Sequence, residues 1–162
     1  MEKLLSLKKL KTETRALQRA GKKIVFTNGC FDIIHAGHVR YLRKAKACGD
    51  VLVVGLNSDS SVRKIKGERR PIVRERERAE VLGALSSVDY VVMFSEPTPI
   101  KLIATLIPDV LVKGADWAEK NIVGADIVKK NRGRLARIRL AKGRSTTNII
   151  KRILRTHAPN KF

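Results

Sequence analysis

The chain has 162 residues, of which 43% are hydrophobic and 4% aromatic, and its 35 Lys and Arg against 15 Asp and Glu give a net charge of +20. That length suits one globular domain able to bury about two thirds of the surface its unfolded chain exposes, and no apolar run approaches the ~20 residues of a membrane-spanning helix. The charge favours polyanions, whether nucleic acid, anionic lipid or phosphorylated small molecules. The cations are spread along the whole chain, however, and so few aromatics leave little for bases to stack on, which argues against nucleic acid.

Residues 1–21 place lysines and leucines at helical spacing without a continuous apolar core or a small-residue cleavage site, the pattern of an amphipathic leading helix and not of a signal peptide. Five apolar runs follow, at residues 23–29, 50–59, 89–95, 108–114 and 134–140. They are apolar at successive positions, as strands buried on both faces are. Helical patterns at residues 37–48, 75–85, 99–107, 125–131 and 146–155 alternate with them. This order predicts an α/β fold, a Rossmann-like doubly wound sheet of five parallel strands in a single domain over residues 22–155, with a short tail at 156–162. Residues 63–74, "RKIKGERRPIVR", read as a basic loop. The two cysteines, Cys30 and Cys48, have no metal-ligand spacing around them and read as free thiols of a reducing, cytoplasmic protein.

Sheets of this kind hold ligands outside the carboxyl ends of their strands. Residues 27–38, 57–71, 113–117 and 141–147 are therefore the candidates. The first segment, "TNGCFDIIHAGH", ends a strand in a glycine turn and opens a helix, so backbone amides and the positive helix end can meet an anion there. His35 and His38, three apart around Gly37, can share one side of the first helical turn. Beside a triphosphate their rings would donate to its oxygens as charge builds up. Two histidines that merely cap a helix, with Asp32 forming the turn, are the plainer alternative. A zinc site would lack further ligands nearby.

"GCFDIIHAGH" resembles the signature of the HxGH nucleotidyltransferase superfamily in its cytidylyltransferase-like branch, and "GRSTTNIIKRI" resembles that family's second signature. The blocks "NSDSSVRKIKG", "RPI", "RAEVL", "PDVLVKGADW" and "IVGADIV" are similar to those of adenylyltransferase domains acting on D-glycero-β-D-manno-heptose 1-phosphate. The likeness runs over residues 22–154.

The resemblance implies transfer of AMP from ATP to a sugar 1-phosphate, with release of pyrophosphate and formation of ADP-heptose for the lipopolysaccharide core. It implies His35, His38, Lys64, Lys66 and Arg78 as the catalytic group on the phosphates. It puts Asn28, Gly29, Cys30, Phe31, Gly37, Lys113, Gly114, Asp116, Trp117, Arg144, Ser145, Thr146 and Thr147 around the nucleotide, and Asp32, Asn57 and Asp59 near the sugar. ATP as substrate, Mg2+ on its phosphates, a separate sugar kinase upstream, a homodimer and no membrane partner are further expectations. One rival is the same fold using CTP with glycerol 3-phosphate or another alcohol phosphate. The other is a basic nucleic-acid-binding module.

Overall fold

The computed structural model of the chain describes residues 3–139 and 143–157. Five strands, β1 (Ile24–Gly29), β2 (Val51–Asn57), β3 (Tyr90–Phe94), β4 (Val110–Gly114) and β5 (Arg134–Ile138), form one parallel sheet in the order β3-β2-β1-β4-β5. Alternate residues of each strand enter opposite cores. Val25, Leu52, Val54 and Val91 meet Tyr41, Leu42 and Ala45 of α2 (Ala36–Lys46) and Ala79 and Leu82 of α4 (Glu75–Ala84). Ile24, Phe26, Val53, Val92 and Leu111 meet Leu10 of α1 (Leu7–Arg19), Leu102 and Ile103 of α5 (Ile100–Leu106) and Val128 of α6 (Ala125–Lys130). Burial on both faces is why the strands are apolar at every position and not at every second one.

The leading segment is part of this packing. Leu10 is fully buried, and residues ahead of the helix pair with the sheet edge, the amides of Leu5 and Val91 donating to the carbonyls of Val91 and Lys3.

Two boundaries differ from the sequence reading. The basic loop begins later than expected, because α3 (Asp59–Lys66) takes in Arg63, Lys64 and Lys66. Ser58 caps this helix by accepting from the Ser61 amide at 3.2 Å, and Gly67, at φ +90°, ends it. Only Val62 gives it a buried apolar anchor, too little for a visible helical period. The last strand stops at Ile138. Leu140, Ala141 and the tail from residue 158 lie outside the described residues.

β1 and β4 pair only through Val25 with Val110 and Phe26 with Leu111. Beyond that point side chains replace the ladder. Thr27 Oγ1 donates to the Val112 carbonyl at 3.1 Å and meets the Tyr41 hydroxyl at 2.8 Å. The sheet therefore opens at the place where its strand order reverses.

Candidate active site

A crevice of about 620 Å³ lies over that opening. All four segments named from the sequence reach it in their described parts, through residues 28–32 with His35, Gly37 and His38, through Asn57 with Lys66 and Arg70, through Lys113, Gly114, Asp116 and Trp117, and through residues 144–147. α2 points its N-terminus into the crevice, and His35 is its N-cap. The Gly37 amide donates to His35 Nδ1 at 3.1 Å, which makes Nδ1 the acceptor and leaves Nε2 to carry the proton. The rings of His35 and His38 stack at 3.9 Å between centroids and 20° between planes. A Cβ on residue 37 would stand 2.8 Å from Cε1 and Nδ1 of His35, so the glycine is what lets this ring lie back over the helix.

Both rings are held neutral. Burial lowers the pKa of His38 to about 4, with the neighbouring His35 adding to the effect. Burial lowers that of His35 as well, with help from Arg144. His38 Nδ1 is buried without a hydrogen-bond partner. Phe31 supports the pair from behind, its ring edge-on to His38 at 5.2 Å, and reaches that place from a left-handed backbone at φ +43° that bulky residues rarely adopt.

Across the opening stands Lys113, at the end of β4. Its ammonium donates to Asn28 Oδ1 and lies 6.0 Å from the centre of the Trp117 ring. Burial pulls its pKa down to about 8. It forms no ion pair among the described residues, so a cation in a sparsely solvated crevice has only a neutral oxygen to answer it. That is the electrostatics of an anion site.

Several expected contacts are placed differently. Arg78 does not face the crevice. It is fully buried, and its guanidinium donates to the carbonyls of Val73 (2.9 Å), Cys30 (2.6 Å) and Asn57 (2.9 Å) and to Asp59 Oδ1 (2.7 Å). It clamps the ends of β1 and β2 together. Asp59, as its counter-ion, does not line the crevice either. Lys64 also stays outside while Lys66 lines it, because residues two apart on a helix project to different sides.

Asp32 borders the crevice, but its oxygens are engaged. They accept from Arg70 Nε at 2.5 Å and from the amides of Ile72 and Val73 at 2.9 Å each. Burial alone would raise its carboxyl, yet the Val73 and Ile72 amides and Arg70 together hold it below the usual range. Its place is that of a strut for the loop after α3. Asn57 Nδ2 likewise donates to Ser61 Oγ at 3.0 Å.

Of the three hydroxyls that open α7 (Thr146–Thr156), Ser145 caps the helix by accepting from the Asn148 amide at 3.1 Å. Thr146 ties it to the Ile33 carbonyl at 3.3 Å. Thr147 is exposed at the crevice wall.

The structure adds lining residues that the sequence reading did not name, among them Thr98 with its flanking prolines, Asn121 and Val123. Thr98 follows β3, so the same carboxyl-end rule that selected the other loops could have found it. Asn121 and Val123 come from a short 3-10 turn and its exit, and carry no such signal.

Comparison with known proteins agrees with this fold. The family profile described as Cytidylyltransferase-like matches residues 26–153. A protein named Bifunctional protein HldE from Geobacter metallireducens is 60% identical over 137 residues, covering 85% of this chain and 28% of that protein. Its namesake from Helicobacter pylori is 56% identical over 155 residues, covering 96% of this chain and 32% of that protein. The chain thus spans about a third or less of the length of these relatives. Among solved structures, the lipopolysaccharide core biosynthesis protein from Thermoplasma volcanium is 29% identical with a TM-score of 0.60, over 76% of this chain and 100% of that one.

Proposed function

The chain belongs to the cytidylyltransferase-like family, and from that premise we propose that it transfers AMP from ATP to D-glycero-β-D-manno-heptose 1-phosphate, releasing pyrophosphate and forming ADP-heptose for the lipopolysaccharide core. The observation that carries this reading is the pair of neutral, stacked imidazoles at the N-terminus of α2, facing a crevice that also holds the ammonium of Lys113, which forms no ion pair among the described residues. The names of the HldE relatives and of the lipopolysaccharide core biosynthesis protein support the pathway.

In this reaction a phosphate oxygen of the sugar phosphate attacks the α-phosphorus of ATP, a new P–O bond forms, and the bond to the bridging oxygen breaks as pyrophosphate leaves. The attacking oxygen is already an anion at neutral pH, so no general base is needed. The protein's task is to align the two phosphates and stabilise the charge between them. Nε2–H of His35 and the ring of His38 would donate to the triphosphate, beside the turn of Cys30 and Phe31. Lys113 would balance the two converging anions, with Lys66 and Arg144, which also line the crevice, adding positive charge. Asp116 and Trp117 would border the nucleoside or the sugar.

A magnesium ion carried on the triphosphate would neutralise part of its charge. The described residues offer no cluster of three ligating side chains, and Asp116 is the crevice carboxylate left without a hydrogen bond or ion pair among them. That donor set fits an ion held mainly by phosphate oxygens and water. ATP as the donor places the reaction in the cytoplasm, and a phosphorylating enzyme must supply the sugar 1-phosphate. We further propose a homodimer as the working unit, which sedimentation would test.

The deciding experiment measures pyrophosphate release from ATP and from CTP over a panel of sugar and alcohol phosphates. Release from ATP stimulated by the heptose 1-phosphate is the expected result. Preference for CTP with an alcohol phosphate would overturn the assignment.

A further inference from the structure

We propose that α7 rests on an anionic phospholipid surface, its apolar stripe in the headgroup region and its cations on the lipid phosphates. After Thr146 the helix leaves the core: Ile149 and Ile150 are half-buried, Ile153 is 48% exposed and Leu154 67% exposed. These four form one stripe at the spacing i, i+1, i+4, i+5. Lys151 and Arg152 flank the stripe and Arg155 lies behind it, all exposed. Long basic side chains in such places can reach outward along an apolar boundary while their charge stays in water.

Charge selects the occupant. No aspartate or glutamate follows Asp126 in the sequence, while Lys and Arg recur throughout that stretch. An anionic bilayer satisfies both halves of the helix at once, aliphatic stripe and cations. Nucleic acid would use the charge but leave the stripe in water, and α7 has no aromatic side chain for bases to stack on. A second copy would bring its own cations against these. A helix about 16 Å long also falls well short of the roughly 800 Å² per partner of a stable interface. That no described helix is long and apolar enough to cross a membrane is no objection, since the helix lies on the surface and does not cross it.

The test is flotation of the full chain with vesicles of about 30% phosphatidylglycerol in phosphatidylcholine, against phosphatidylcholine alone. The expected result is binding to the anionic vesicles only, weakened by salt. I153D/L154D should lower the bound fraction at least about tenfold, and K151Q/R152Q/R155Q several-fold, with thermal midpoints near that of the wild type. The triple variant keeps the test valid should the aspartates disturb the helix. No flotation of the wild type, or equal flotation of the variants, would overturn the proposal. So would a dimer that I153D/L154D dissociates in the absence of vesicles, or binding to polyuridylate without binding to vesicles.

Discussion

Arg78 Nη1 donates to the carbonyl of Cys30 at 2.6 Å, joining a fully buried cation on α4 to the turn that follows β1. The same guanidinium holds the Asn57 carbonyl and Asp59, so one side chain sets the spacing of two loops that wall the crevice. Arg78→Lys would keep the charge but lose the planar fork that reaches four acceptors. It should cost about 2–4 kcal/mol of stability, read from urea denaturation, because buried carbonyls lose their donor. Turnover should fall as well, since the Cys30 turn loses its support. A lysine variant as stable as the wild type would remove the clamp.

Gly37 separates stability from activity. Alanine there improves helix propensity by up to about 1 kcal/mol, while its Cβ would stand 2.8 Å from the His35 ring. The ring can swing away, so the fold survives, but its Nε2–H leaves the place where it faces the crevice. Gly37→Ala should therefore keep its unfolding midpoint within a few degrees and lose about 10²-fold in kcat, comparable with deletion of one charge-stabilising donor. Unchanged kcat would show that the His35 ring is not used.

The strands could be read from the sequence because each is a short apolar run with both faces buried, and the histidine turn because glycine, helix start and ring spacing are all local. The partners of Arg78 and Asp32 escape the sequence for the opposite reason. The likeness of "RAEVL" to a family block puts Arg78 on the phosphates, and nothing nearby reveals that the carbonyls of Cys30 and Asn57 converge on it. Asp32 reads as a sugar contact or a turn former, and its partners are 38 to 41 residues away. α3 was hidden because a single buried valine gives no period. Contacts made across the sheet decided these cases, and local pattern carries no record of them.

Stability should depend on pH through His38. Its folded pKa, about 4, lies below the 6.5 of an unperturbed imidazole. As pH falls through 6.5 the unfolded chain takes up a proton that the folded ring refuses, so stability declines until about pH 4. The ceiling is about 3 kcal/mol, reduced by the ring's partial exposure. His38→Gln should flatten the decline of the unfolding midpoint between pH 6.5 and 4. Below pH 3.8 a separate loss should begin as the depressed Asp32 carboxyl protonates. A wild-type midpoint flat across pH 6.5 to 4 would contradict the burial assigned to His38.

Lys113 should report the arrival of the triphosphate as proton uptake. In the free protein burial holds its pKa at about 8, so near pH 8 about half the population is neutral. An anion placed beside the ammonium favours the charged form and raises that pKa. Binding at pH 8 should then take up about half a proton, and binding at pH 6 almost none from this group. Calorimetry of ATP binding in buffers of different ionisation enthalpy measures the difference directly. Lys113→Met should abolish the uptake at pH 8 and weaken ATP about 10- to 100-fold, the worth of one charge-assisted hydrogen bond. The same change should raise the unfolding midpoint of the free protein at pH 7, because it removes a largely desolvated cation whose only hydrogen-bond partner among the described residues is the neutral Asn28. Stability and affinity moving in opposite directions is the mark of a charge kept for its ligand. A methionine variant that lost stability and left ATP binding and its proton uptake intact would make Lys113 a packing residue, and the anion would have to be held elsewhere in the crevice.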